Sequence, residues 1–320
     1  MKNLLSLEAL TRADMESILS RIAAFKRNRK THPRPLSGQT WALIFSKSST
    51  RTRVSFEVGL RELGAEVIFL SSAEIQLGRG EPVRDTAQVL GRMVHGAVIR
   101  TFAQADVEAF ARFSGIPTIN ALTDDEHPCQ ILTDIFTFEE LSGVPIKGRR
   151  VTFVGDAACN VPASWIFAAA RLGFELRLAA PAAYQPARSL LERAGGIQGP
   201  ADPGAPAEAS GWYFPSGGRV VCTADLNWAA TDSDLLYTDV WVSMGKEAEA
   251  AQRVQDLSGY QINAALVSRA RQGALVMHCL PAYRGKEIDE ATLEAHSSTI
   301  FTQAENRLHT QKAIVDWMIS

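Results

Sequence analysis

The chain has 320 residues, 46% of them apolar, and 33 Lys and Arg against 35 Asp and Glu give a net charge of −2. That length exceeds what one hydrophobic core ordinarily organises, so two domains are expected. The charge balance gives no support for a basic nucleic-acid footprint or a polybasic membrane anchor. Cys129, Cys159, Cys222 and Cys279 are far apart with no CxxC pair, which argues against a zinc site or a disulfide framework and suits a reducing cytoplasm.

In chain order, "MKNLLSLEALTRADMESILSRIAAFK" reads as an amphipathic helix capped at Thr11 or Asp14, with no signal-peptide core or cleavage site. The runs "WALIFS", "EVIFLS", "GAVIRT" and "PTINAL" read as strands separated by helical patterns. "HPCQILTDIFTFEELSGVPIKG" reads as a helix ended by Gly143 and Pro145, a first crossing between domains. A second strand series follows: "RRVTFVGD", "FELRLAAP", "RVVCTAD", "LLYTDVWVS" and "ALVMHCLP". The most apolar stretch, "SWIFAAARLGFELRLAA", is broken by Arg171, Glu175 and Arg177 and cannot span a membrane. Residues 195–218, rich in Gly, Pro and Ala, are expected as an exposed excursion. The last segment, "AENRLHTQKAIVDWMIS", is a helix long enough to cross back over the first domain. The pattern predicts an α/β fold of two domains, each a parallel sheet flanked by helices, joined by two interdomain helices. The expected boundaries are 1–145, completed by 304–320, and 146–303.

Ligands of doubly wound sheets bind outside the carboxyl ends of the strands. Those ends carry Ser49-Thr50-Arg51-Thr52, Arg100-Thr101, Asp156 with Asn160, Asp239 with Ser243, and His278-Cys279. "SKSSTRTRVSFE" runs from a strand into a helix whose apolar residues are Val54, Phe56, Val58, Leu60 and Leu63. Hydroxyls, a guanidinium fork and the N–H groups of an opening helical turn suit an anion; a capped helix with exposed arginines is the other reading. The stretch lacks the Gly-Lys-Ser/Thr ending of a Walker A loop. In "EHPCQ", His127 can polarise a carbonyl and Gln130 can accept from an amide, or the pair can serve as a helix cap. "VGDAACN" lacks the GxGxxG glycines, which disfavours a nicotinamide enzyme.

"STRTR", "HPCQ", "DVWVSMG", "HCLP" and "QAENRLH" stand in the order found in carbamoyltransferases. The set resembles the ornithine branch of the aspartate/ornithine carbamoyltransferase family. The resemblance runs from "NLLSLEAL" to the last helix and omits only about 195–218. It implies that Ser49, Thr50, Arg51 and Thr52 hold the phosphate of carbamoyl phosphate. It further implies Arg100 on phosphate and carbonyl oxygen, His127 on that oxygen, and Gln130 with the backbone around Cys279 and Leu280 on the carbamoyl NH2. Arg307 would close the site, and Gln76 or Arg79 would reach a neighbouring subunit's site in a trimer. Asp239 would take the α-ammonium of ornithine, and Asn160, Ser243 and the Met244 backbone its carboxylate. Arg100, His127, Asp239 and Cys279 are the implied catalytic set, with Cys279 as a substrate-binding residue and no covalent intermediate.

The implied partners are carbamoyl phosphate and L-ornithine, with no metal, cofactor, nucleic acid or membrane. The alternative acceptor is another amine such as putrescine or an N-acylated ornithine, but the "SMG" element favours a ligand with an α-carboxylate. "SMGKEAEAAQRVQDLSGYQ" is charged and helix-prone, and is expected to close over bound ornithine. Two departures from the family pattern stand out. Cys159 replaces one of two usual asparagines, and Ser46 replaces a common acidic residue.

Overall fold

The computed structural model describes residues 2–71 and 80–320. The chain divides into two compact units, one of residues up to Thr133 with Glu305–Ser320, the other Asp134–Ala304. Gln76 and Arg79 lie outside the described residues.

The first unit opens with α1 (Arg12–Arg27), whose Thr11 and Asp14 form a reciprocal capping box, so both expected starting residues take part. Then follow β1 (Thr40–Phe45), α2 (Thr50–Glu62), β2 (Glu66–Ser71), α3 (Val83–Leu90), β3 (Gly96–Arg100), α4 (Gln104–Ser114) and β4 (Thr118–Leu122). The helix α5 (Pro128–Ser142) begins here and ends in the second unit. The sheet order is β2-β1-β3-β4, all parallel. Strands β3 and β4 are buried throughout, as parallel strands covered on both faces must be. A core of Ala42, Ile44, Ala97, Ile99, Val107 and Phe110 packs the sheet against its helices. On α2 the buried positions are Thr52, Ser55, Phe56, Gly59 and Leu60, the spacing of one helical face. Val54, counted among the apolar residues of that helix, is 55% exposed because it falls off this face.

The second unit contains β5 (Arg150–Val154), α6 (Asn160–Leu172), β6 (Glu175–Ala179), α7 (Arg188–Arg193), β7 (Ile197–Gly199), β8 (Ser210–Tyr213), β9 (Arg219–Thr223), α8 (Leu226–Ala230) and β10 (Leu235–Thr238). After these come α9 (Ala250–Leu257), α10 (Ala264–Val267), β11 (Leu275–His278), α11 (Glu290–Ala295) and α12 (Ser297–Ile319), which ends in the first unit. The sheet order is β11-β10-β5-β6-β9-β8-β7; pairing is parallel from β11 to β9 and antiparallel beyond.

Three expectations are corrected. Residues 195–210 are exposed or half-buried as expected, but the stretch is no irregular excursion, since β7 and β8 extend the sheet and Trp212 and Phe214 are buried. Glycine is required there for close approach, because a Cβ on Gly211 would stand 2.7 Å from the Pro200 carbonyl oxygen. The strands also end earlier than the apolar runs suggest. The runs "RRVTFVGD", "LLYTDVWVS" and "ALVMHCLP" leave the sheet at Val154, Thr238 and His278, and their polar remainders form turns. Finally, the last helix starts at Ser297, ahead of the expected 304. No described helix is long and apolar enough to cross a membrane.

Gly96 lies opposite Trp41 across β3 and β1, and a Cβ there would stand 2.6 Å from the buried indole. Gly96→Ala should therefore destabilise the first unit by about 1–3 kcal/mol through overpacking. A lowered urea midpoint with an unchanged m-value is the expected readout; an unchanged midpoint would mean the Trp41 ring yields freely.

Candidate active site

The first cluster stands at the carboxyl ends of β1 and β3. Phe45 pairs with Arg100, and the Ser46 N–H donates to the Arg100 carbonyl at 2.8 Å, so the polar segment after β1 leaves beside Arg100. Ser49 caps α2, its Oγ accepting the Thr52 N–H at 3.2 Å. A hydroxyl that accepts a cap bond keeps its own proton to donate. Thr50 is exposed, Arg51 half-buried and Thr52 buried. Arg307, from α12, is buried with its fork split between two acceptors: Nη2 donates to Thr52 Oγ1 at 2.9 Å and Nη1 to Gln130 Oε1. Arg100 and His127 are buried in the same unit. His127 is held well below the usual imidazole range by burial first, then by the charges of Arg307 and Arg100. It is a neutral ring at neutral pH. The structure thus brings together Thr52, Gln130 and Arg307 by direct bonds, and Arg100, His127 and Arg307 by mutual electrostatics.

Lys47 escaped the sequence reading because a lone lysine in a polar loop looks like a solvated one. Here it is buried, its ammonium bonded to the Asp124 carboxylate and 4.3 Å from the Phe102 ring. It stations a cation one residue beyond Ser46 and close in sequence to the hydroxyls.

The second cluster gathers where β5, β10 and β11 end side by side. Asp239 follows β10, and its Oδ1 accepts both the Val240 N–H at 2.7 Å and the Cys279 thiol at 2.9 Å. Although the residue keeps some open surface, desolvation of its carboxylate raises its pKa above the usual range, against the opposing pull of His278, Cys279 and Val240. Burial, then the Asp239 charge, pushes the Cys279 thiol well above its ordinary value. A thiol kept protonated is a poor nucleophile. Asn160 begins α6, directly after Cys159 at its N-cap. Ser243 Oγ is buried with no hydrogen-bond partner among the described residues, whereas Met244 is 42% exposed.

The turn at Cys279 and Leu280 is set by His278. Its Nδ1 accepts the Leu280 N–H at 2.8 Å, so the ring proton must sit on Nε2, 3.2 Å from Glu287 Oε1. Leu280 has φ 57°, a left-handed conformation that an unsupported leucine avoids. The ligand atoms of Asp239, His278 and Cys279 lie within 4.8 Å of one another, close enough to share a metal ion. Both His278 nitrogens are already engaged, however, and the Cys279 proton is donated to Asp239, so the trio is wired for hydrogen bonding. Neither His278 as an orienting group nor Glu287 was evident from sequence.

Residues 2–140 match the family description "Aspartate/ornithine carbamoyltransferase, carbamoyl-P binding domain", and 147–318 match "Aspartate/ornithine carbamoyltransferase, Asp/Orn binding domain". The chain belongs to the aspartate/ornithine carbamoyltransferase family. Within that family, an ornithine carbamoyltransferase of Akkermansia muciniphila is 50% identical over 317 residues, covering 98% of this chain and 97% of that protein. One of Campylobacter fetus is 44% identical over 99% of this chain and 98% of that protein. Among solved structures, anabolic ornithine carbamoyltransferase from Campylobacter jejuni superposes with a TM-score of 0.89 at 36% identity, covering 100% of this chain and 99% of that one. The Pyrococcus furiosus enzyme gives 0.87 at 39%, covering 99% and 96%.

For this carbamoyltransferase the state of Asp239 yields a stability test. A carboxyl whose folded pKa exceeds its ordinary 3.8 holds its proton more tightly when folded. Stability then falls as pH rises through the interval between the ordinary and raised values, and the ionised carboxylate remains a cost above it. Asp239→Asn, whose amide oxygen still accepts from Cys279 and Val240, should melt higher than the parent near pH 7. The gap should close as the pH falls toward about 4. A lower melting temperature near pH 7 would show that the charge is compensated.

Proposed function

We propose that this chain is an ornithine carbamoyltransferase, passing the carbamoyl group of carbamoyl phosphate to the δ-amine of L-ornithine to give L-citrulline and phosphate. The observation that carries the acceptor assignment is the pairing of a shielded carboxylate, Asp239, with a buried and unpartnered donor, Ser243 Oγ, four residues on. An amino acid presents an ammonium for the first and a carboxylate for the second. Putrescine has no carboxylate to use Ser243 or Asn160. Family membership and the names of its relatives support the same acceptor.

In this reading residues 1–145 with 304–320 form the carbamoyl-phosphate domain and 146–303 the ornithine domain. Ser49, Thr50, Arg51 and Thr52 take the phosphate, each charge-assisted bond contributing about 1.5–3 kcal/mol. An alkylamine with a pKa of about 10 is protonated near neutrality and must lose that proton to attack. Asp239 holds the α-ammonium, and the Cys279 thiol orients the δ-amine. Once the δ-ammonium has given its proton to solvent, the nitrogen lone pair forms the new C–N bond at the carbamoyl carbon. The tetrahedral intermediate then collapses, the C–O bond to phosphate breaking with its electrons leaving on the phosphate, which takes the proton the nitrogen gives up. Arg100, His127 and Thr52 stabilise the intermediate oxyanion; the neutral state of His127 makes it a hydrogen-bond donor there rather than an acid consumed by titration. Gln130 and the Leu280 backbone accept from the carbamoyl NH2. The thiol's raised pKa supports an orienting role for Cys279 over covalent catalysis. We further assign a place in arginine metabolism, a homotrimeric assembly and a cytoplasmic setting, the last supported by the free thiols of all four cysteines.

The deciding assay offers carbamoyl phosphate with L-ornithine, N-acetylornithine, putrescine or L-aspartate and scores each carbamoylated product. Turnover confined to L-ornithine is expected. Turnover with putrescine instead would overturn the roles of Ser243 and Asn160 while keeping the phosphate assignment. In the same assay Arg51→Gln should lower kcat/KM by at least about 100-fold, the loss of a two-pronged charged contact.

A further inference from the structure

The turn after β5 is built around Asp156, which is 5% exposed. Its Oδ1 accepts the Ala158 N–H at 3.0 Å, shaping the approach to Asn160 at the start of α6. Its Oδ2 accepts Arg253 Nη1 at 2.7 Å, from α9. The guanidinium is gripped elsewhere as well. Arg253 Nε donates to Glu249 Oε2 at 2.8 Å, and the group lies 5.4 Å from the Tyr184 ring, whose hydroxyl donates to Asp256 at 3.0 Å.

Met244 to Glu249 are all exposed. Their backbone bonds are local: Gly245 N–H to the Glu247 carboxylate, Lys246 N–H to the Ser243 carbonyl and Glu249 N–H to the Lys246 carbonyl. Upstream the buried anchor is Trp241; downstream it is Leu257, at the far end of α9. Arg253 divides the span between them, and a shorter span has fewer conformations to lose when it orders.

We propose that the Arg253–Asp156 ion pair is a positioning element of the amine site. It ties the segment bearing Ser243 and Met244 to the turn bearing Asn160, so that the groups assigned to the ornithine carboxylate are presented in one geometry. The inference rests on the ornithine assignment above. A charged, directional bond suits this task because it cannot slide as an apolar contact can. It has an electrostatic consequence too. Cys159 stands within the fields of both Asp156 and Asp239, so two carboxylates border the same thiol. Arg253 neutralises Asp156 and leaves Asp239 as the carboxylate open to an ammonium.

The test is Arg253→Gln in the full chain. KM for ornithine should rise by at least about ten-fold, the scale of losing one charged tether. KM for carbamoyl phosphate should stay near the parent's. Trypsin should cleave after Lys246 faster than in the parent at equal melting temperature, mapped by mass spectrometry. Arg253→Lys, which keeps the charge and loses the fork, should fall between the two, and it carries the test if Arg253→Gln does not fold. Adding Asp156→Asn to Arg253→Gln should worsen neither readout further, because the tether is already cut. A lowered melting temperature with an unchanged KM for ornithine and unchanged cleavage would reduce the pair to a structural bond and overturn the proposal. If the parent carbamoylates no ornithine, the acceptor assignment fails by itself. The Lys246 cleavage rate still decides the tether, since equal rates in parent and variant would sink it.

Discussion

Parallel strand pairing is the constraint on which both clusters depend. In a parallel sheet every strand points the same way, so the first residues beyond the ladder emerge along one edge however far apart they lie in sequence. Thr238 pairs with Val154 on one side and His278 on the other. The next residues out, Gly155-Asp156, Asp239 and Cys279, are neighbours for that reason alone. The pairing of Phe45 with Arg100 does the same for the hydroxyl-rich turn and the arginine. Ending the strands early then matters. Were β10 to continue through "DVWVS", Asp239 and Ser243 would occupy ladder positions instead of a turn.

A polar edge is only useful once charge states are settled, and here burial settles them. Desolvation penalises whichever form is charged. It keeps His127 neutral among two arginines, keeps Cys279 protonated, and raises Asp239. Each state fits the role proposed for it above: a donor that does not titrate away, a thiol that orients rather than attacks, and a carboxylate with unspent attraction for an ammonium. In the proposed reading the cost of Asp239 is carried because an ammonium is to bind there.

Such groups need support behind them. Behind Cys279 the support is a chain of buried polar contacts within the second unit. Tyr237 donates to Asp134 at 2.8 Å, Gln303 donates to Asp134 at 2.7 Å and accepts the His278 N–H at 3.0 Å, and His278 holds Leu280. Each link satisfies a group that would otherwise be buried unpaired, so the network favours one conformation of the β11 terminus. Asp156 and Arg253 supply the corresponding support beside Asn160.

The sequence by itself determined the alternation of strands and helices, the α/β class, the capped first helix and the strand-end motifs. These are local properties, written in residue periodicity and in short runs of hydroxyls, guanidiniums and carboxylates. Family resemblance then attached an anion and an amine to those motifs. Tertiary structure decided what periodicity cannot carry. It made sheet strands of a Gly-, Pro- and Ala-rich stretch, because Trp212 and Phe214 could be buried there. It joined Lys47 to Asp124 and Arg253 to Asp156 across long separations. It also chose the protonation of His127, Cys279 and Asp239, since the free energy of a charge depends on how much water and which neighbours remain around it, and those are known only once the chain has folded.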